Sequence, residues 1–131
     1  MPSIFSKIIS GQIPSYKIAE DENYFSFLDI APLTKGHTLV IPKKEVDYIF
    51  DLDNETYLGL MNFSKRVASA IKQSIDCSRI SMQVIGLEVP HAHVHLIPIN
   101  TMSDCNFSKP KIKLRDEEFI EIANSISKNF I

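Results

Sequence analysis

The chain has 131 residues, 44% of them hydrophobic, enough apolar material for one domain with a single core. Its 14 Lys and Arg stand against 16 Asp and Glu, a formal charge of -2, which excludes the basic footprint of a binder of nucleic-acid polymers or of an anionic membrane. The opening stretch MPSIFSKIISGQIPSYK lacks a signal peptide's long apolar core, no apolar run approaches the roughly 18 residues of a membrane span, and Cys77 and Cys105 make no disulfide framework, so a cytoplasmic protein with reduced thiols is expected.

In chain order, Phe5 to Ile9 is a brief apolar turn, too short to be a stable helix alone and ended by Ser10 and Gly11. Tyr16 to Ala19 and Tyr24 to Leu28 carry aromatic and apolar residues suited to a pleated surface, and the acidic turn Glu20 to Asn23 joins them as a hairpin. A loop from Asp29 to Lys35 leads to a third strand, His37 to Ile41, stopped by Pro42, with His37, Leu39 and Ile41 on one face. Acidic residues from Asp51 to Glu55 open a long amphipathic helix with its stripe at Tyr57, Leu60, Met61, Val67, Ala68, Ile71 and Ile75. Leu58, Phe63 and Ala70 lie off that stripe, which predicts a second buried face, either a subunit interface or a seat for the C-terminal segment.

Ile80 to Ile85 and Ala92 to Ile99 read as two further strands with a turn at Gly86 to Pro90 between them. Asn100 to Lys113 is a polar loop, and Asp116 opens a last helix with Phe119, Ile122, Ala123 and Ile126 on its apolar face. Strands and helices in this order predict a single α+β domain over residues 1–131, with its core in 3–99, on an antiparallel sheet of about five strands.

Three of the four histidines, His91, His93 and His95, alternate through HAHVHLIP, and the strand period puts their imidazoles in a row on one surface while Ala92, Val94 and Leu96 pack behind. A single metal ion fits that row poorly, because the outer pair lie roughly 13 Å apart at about 3.3 Å per residue. His37, Glu45 and Glu88 are the other ligands a metal would draw on. Nucleophilic catalysis fits better: with ordinary pKa values near ~6.5, imidazoles serve as nucleophile, donor and acceptor at neutral pH, and phosphorus is a suitable electrophile.

The motif His91-Ala92-His93-Val94-His95-Leu96-Ile97, together with IFSKIISGQIPSYKI and FLDIAPLTKGHTLVIPKK, resembles the histidine triad (HIT) superfamily up to about Ile99, most of all its Hint-like nucleoside phosphoramidase and dinucleotide polyphosphate hydrolase group. The resemblance implies a HIT-like fold whose sheets join across a homodimer, with the long helix from about Asp53 to Ser74 at the interface. It also implies hydrolysis or transfer at the α-phosphate of a purine nucleotide or nucleotide conjugate, without a cofactor. His93 would be the nucleophile that becomes nucleotidylated, and His95 would contact the phosphate and its leaving side. His91 would orient His93 through its backbone carbonyl and sit near His37. Asp29 would accept hydrogen bonds from the ribose hydroxyls, and Ile4, Phe5, Ile8, Phe27, Leu28 and Ile30 would surround the base; core packing is the competing reading for each apolar position.

Two departures bear on the chemistry. Where many relatives carry the ligands of a structural zinc, this chain has Ser3, Ser6 and Glu45; hydroxyls do not replace thiolates, so no structural zinc is expected. Before the triad, Gly86 matches the family's glycine, but Glu88 stands where a Ser or Thr usually assists the leaving group, and its carboxylate repels an anionic leaving group unless protonated. Lys109, Lys111 and Lys113 alternate beyond the triad, either as a lure for a polyphosphate tail or as a solvated loop. The competing functions are a nucleotide-binding or interaction module without turnover, and a metal-dependent hydrolase.

Overall fold

In the computed structural model, which describes residues 2–131, the five apolar stretches form one antiparallel sheet: β1 (Lys17–Glu20), β2 (Tyr24–Leu28), β3 (Thr38–Pro42), β4 (Arg79–Gln83) and β5 (Val94–Ile99), in the order β1-β2-β3-β5-β4. Helix α1 (Ile4–Ile9) precedes the sheet, α2 (Asn54–Ser74) joins β3 to β4, and α3 (Asp116–Asn129) closes the chain. The expected first strand lies one residue further on, its pairing with β2 running to Glu20 opposite Phe25, with a register shift between Lys17 and Ala19. The short apolar turn is a helix after all: Ser3 caps it by accepting from the Ser6 N–H, and tertiary contacts supply the stability that six residues lack alone.

Helix α2 is capped by the Asp53 carboxylate, which accepts from the Thr56 N–H. Its residues Leu60, Phe63, Val67, Ala70 and Ile71 are buried, at the helical spacings that line one broad face. This face and α3 cover one side of the sheet, where Leu28, Val40, Ala92, Val94 and Leu96 form the main core with them. Phe63 and Ala70 are therefore consumed within the protomer, and the Phe130 ring packs 5.3 Å from that of Phe63. Of the three residues off the expected stripe, only Leu58 faces outward, at 63% exposure.

The opposite sheet face carries a smaller cluster of Phe5, Phe25, Phe27, Leu39 and Ile41, with α1 laid against it. That face holds the histidines. Gly36, at φ +93, makes the turn before His37 in a conformation glycine adopts without strain, and a Cβ there would meet Ile75 at 2.9 Å.

The triad is only partly within β5. His95 pairs with Leu39 on β3 and Gln83 on β4, but β3–β5 pairing ends at Val40 and Val94. From there the chain turns away, and Ala92 N–H donates to the Val46 carbonyl at 2.7 Å. His91 and His93 thus sit in an extended entry to the strand, yet the alternation persists: Ala92, Val94 and Leu96 face the main core and the imidazoles face the other way. β4 also ends early, at Gln83, leaving Val84 and Ile85 exposed.

Candidate active site

A cleft of about 390 Å³ opens on the histidine face. His93 and His95 from the triad segment, His37 from the entry to β3 and Asp29 from the end of β2 meet there, with Phe5 of α1 as one wall and Gly86 and Glu88 on the rim.

The hydrogen bonds fix which nitrogen of each ring carries the proton. His93 Nδ1 lies 2.8 Å from the His91 carbonyl, which only accepts, so Nδ1 is protonated and Nε2 keeps a free lone pair. His37 Nδ1 accepts from the Leu33 N–H at 3.0 Å, so the His37 proton is on Nε2. That proton is donated to His95 Nδ1, 3.0 Å away, which leaves His95 with its proton on Nε2. The row therefore presents a bare nitrogen on His93 beside an N–H on His95, their ring centroids 5.0 Å apart.

Burial keeps all of these rings neutral. It lowers His37 to about 3, helped by His95 and Lys111, and His95 to about 4, helped by His93. His91 and His93 are lowered for the same principal reason. Burial also raises the Asp29 carboxyl, against the Ala31 N–H that donates to it at 2.9 Å. Asp29 Oδ2 stands 3.6 Å from His37 Nε2, but with His37 neutral the contact is not an ion pair.

His91 does not sit beside His37, as the resemblance implies. Its Nε2–H donates to the Pro42 carbonyl at 2.8 Å and its Nδ1 receives the Ser3 hydroxyl at 2.7 Å, turning the ring toward α1, while His37 partners His95. The expected base-contacting residues also divide. Phe5 lines the cleft, Phe27 lies beneath it at 5.5 Å between centroids, and Ile8 packs into the same small cluster. Leu28, 2% exposed, points through the sheet into the helix-side core, because successive strand residues face opposite ways; it does not reach the cleft. Ile4 and Ile30 are 49% and 74% exposed and stand outside the cleft wall.

Phe107 is the site residue that sequence reasoning missed. Its ring closes the cleft over His95 at 4.9 Å and His37 at 6.1 Å, and the one signal for it was a lone aromatic in an otherwise polar loop. Lys111 also lines the cleft, tied by Nζ to the Phe107 carbonyl at 2.8 Å, whereas Lys109 and Lys113 do not line it.

Among the described residues, one group of three, Asp29, His37 and His95, brings potential metal ligands within 4.8 Å of one another. A metal on His37 Nε2 would force that ring's proton onto Nδ1, donor against donor with the Leu33 N–H at 3.0 Å. The group fits proton handling, not metal coordination. Nor do Ser3, Ser6 and Glu45 beside His91 make a structural zinc site, since two neutral hydroxyls stand where thiolates would be needed.

Residues 10–102 match the family model described as HIT domain. The chain is 40% identical over 134 residues to an uncharacterized HIT-like protein of Borreliella burgdorferi, covering 96% of each. It is 33% identical over 129 residues to an adenosine 5'-monophosphoramidase of Schizosaccharomyces pombe, covering 97% of each. A crystal structure of a Hit-like protein involved in cell-cycle regulation from Bartonella henselae superposes with a TM-score of 0.84 at 31% identity, covering 97% of this chain and 95% of that one.

Proposed function

The chain belongs to the HIT domain family, and on that footing we propose that it is a nucleotide hydrolase or nucleotidyl transferase acting on nucleoside phosphoramidates or dinucleotide polyphosphates through a nucleotidyl-histidine intermediate. The observation that carries the reading is the pair of opposed ring nitrogens: a bare Nε2 on His93 next to a protonated Nε2 on His95. In the first step His93 Nε2 attacks the α-phosphorus, an N–P bond forms, and the bond to the leaving group breaks as that group takes the His95 Nε2 proton; nucleotidylated His93, which keeps its Nδ1 proton and is cationic, balances the charge of the deprotonated His95 ring. In the second step water attacks the same phosphorus, His95 Nε2 takes a proton from it, and the N–P bond breaks to return neutral His93. The phosphoramidase relative supports the substrate class.

Asp29, with one carboxylate oxygen not taken by Ala31, is placed to accept from ribose hydroxyls. Phe5 offers an apolar wall for a base, which we take to be a purine, backed by Phe27 and Ile8 in the same small cluster. Glu88 on the rim favours a leaving group that carries an amine over an anionic one. We also propose a cytoplasmic setting, in keeping with two free thiols, and a homodimer. β4 lies at one edge of the sheet, and beside it the exposed Tyr48, Phe50, Met82, Val84 and Leu87 line one apolar hollow, with Leu58 exposed on α2.

Turnover of adenosine and guanosine phosphoramidates and dinucleotide polyphosphates, with EDTA present, is to be compared between wild type and His93→Ala. EDTA-resistant cleavage lost in the variant is expected. A variant that cleaves as well as wild type removes His93 as nucleophile, and nucleotide binding without cleavage favours the module reading.

A further inference from the structure

The corner where the resemblance would put zinc is filled by hydrogen bonds that end on the nucleophile. Glu45 Oε1 accepts the Ser3 N–H at 2.7 Å and the Ser6 hydroxyl at 2.6 Å. His91 is fully buried, so its two ring nitrogens must find partners within the protein. Nε2 gives its proton to the Pro42 carbonyl, which leaves Nδ1 as an acceptor and obliges the Ser3 hydroxyl to be the donor at 2.7 Å. The ring is thereby held at both ends, and the carbonyl of the same residue receives the Nδ1 proton of His93. Phe5, two residues after Ser3, packs edge-on to His91 at 5.8 Å and to His93 at 5.0 Å, so the same anchor seats the cleft wall.

We propose that Ser3 and Glu45 are positioning residues for His93, a metal-free clamp that fixes the His91 backbone and through it the tautomer of the nucleophile. Glu45 holds the Ser3 backbone and the Ser6 side chain, Ser3 holds the His91 ring, and the His91 carbonyl keeps the His93 proton on Nδ1, away from the attacking nitrogen. Without the Ser3 hydroxyl, His91 Nδ1 is left buried with no donor, and the ring regains its freedom to turn or to exchange tautomers. His93 molecules with the proton on Nε2 have no lone pair to offer there. The inference rests on His93 as nucleophile, but the tautomer itself is read without any substrate.

The test uses the full chain with Ser3→Ala, Ser3→Thr and Glu45→Ala. Ser3→Thr keeps the hydroxyl, and Glu45→Ala alters an exposed position should loss of the Ser3 hydroxyl prevent folding. Ring nitrogen NMR at neutral pH reports the His93 tautomer. Thermal melting reports stability, and kcat and KM are taken on whichever nucleoside phosphoramidate the wild type cleaves. Ser3→Ala is expected to mix the His93 tautomers and lower kcat about tenfold with KM within about twofold, because a wrong tautomer removes the nucleophile and not the binding surface. Ser3→Thr should restore both, and Glu45→Ala should fall between.

Wild-type kcat and an unmixed tautomer in Ser3→Ala, or in Glu45→Ala if the serine variant does not fold, overturn the proposal even if melting falls. Stoichiometric zinc in chelator-washed wild type, reloaded with zinc alone, overturns it as well. If the tautomer mixes but His93→Ala keeps full turnover, the clamp stands and the proposed function falls.

Discussion

His37 joins two separable hydrogen bonds, and two substitutions split them. Its Nδ1 satisfies the Leu33 N–H and its Nε2–H donates to His95, both at 3.0 Å. Asparagine places an oxygen near where Nδ1 was and keeps the acceptor; glutamine places an amide N–H near where Nε2 was and keeps the donor. His37→Asn should leave Leu33 satisfied, cost about 1 kcal/mol for the lost bond to His95, and free the His95 proton to move to Nδ1. General acid catalysis contributes roughly 100- to 10,000-fold, and a proton present on the wrong nitrogen for part of the time forfeits part of that, so kcat should fall about 10- to 100-fold. His37→Gln should do the reverse. The buried Leu33 N–H loses its acceptor at a cost of about 1–3 kcal/mol, which for a chain of this size lowers Tm by about 3–10 °C, while kcat stays closer to wild type. Steady-state turnover of a nucleoside phosphoramidate and a thermal melt on each variant are the assays. Full activity in His37→Asn, or matched losses of stability and activity in both, would refute the directed relay.

The depressed histidines also set an acid limit. Between the ordinary value of 6.5 and the folded values of about 3 for His37 and about 4 for His95, the unfolded chain binds protons that the folded one refuses. Stability is thus fully present above pH 6.5 and drains as pH falls through that window, at about 1.4 kcal/mol per pH unit per histidine. Asp29, raised by burial, works in the opposite direction and blunts the loss. Urea midpoints should fall from pH 7 to pH 5, and a flat profile contradicts the assignment of neutral buried rings. For the proposed homodimer, Met82→Asp places a charge on the exposed edge strand and should convert a sedimenting dimer to monomers. A wild type that is monomeric at high micromolar concentration removes the interface.

Much of this was legible in the residues. Tyr24 to Leu28 matched its strand residue for residue, and the long helix was read from the acidic residues Asp51 to Glu55 and a 3.6 period carried to Ile75, one residue past the end the structure gives it at Ser74. Both are local signals. What escaped was set by distant partners: β5 starts at Val94, not Ala92, because Ala92 bonds to Val46, some 45 residues earlier, and β4 stops where His95 ends its pairing. Leu28 was misplaced for a related reason. The segment it shares with Phe27 and Asp29 belongs to the site, but alternation sends the middle residue to the other face. His37 against His95, and Phe107 over both, are contacts that no spacing announces.

The sheet keeps its two faces in different employment. One is sealed by 19 buried residues shared with α2 and α3, and the other holds five apolar residues beneath the imidazoles. A substitution on the imidazole face alters the cleft while the thick side continues to hold the chain folded. Such a division lets a lineage trade one leaving group or base for another at little thermodynamic risk. Changes at Glu88, Phe107 or Lys111 are therefore the ones through which relatives of this chain would be expected to part company in substrate, long before they parted in fold.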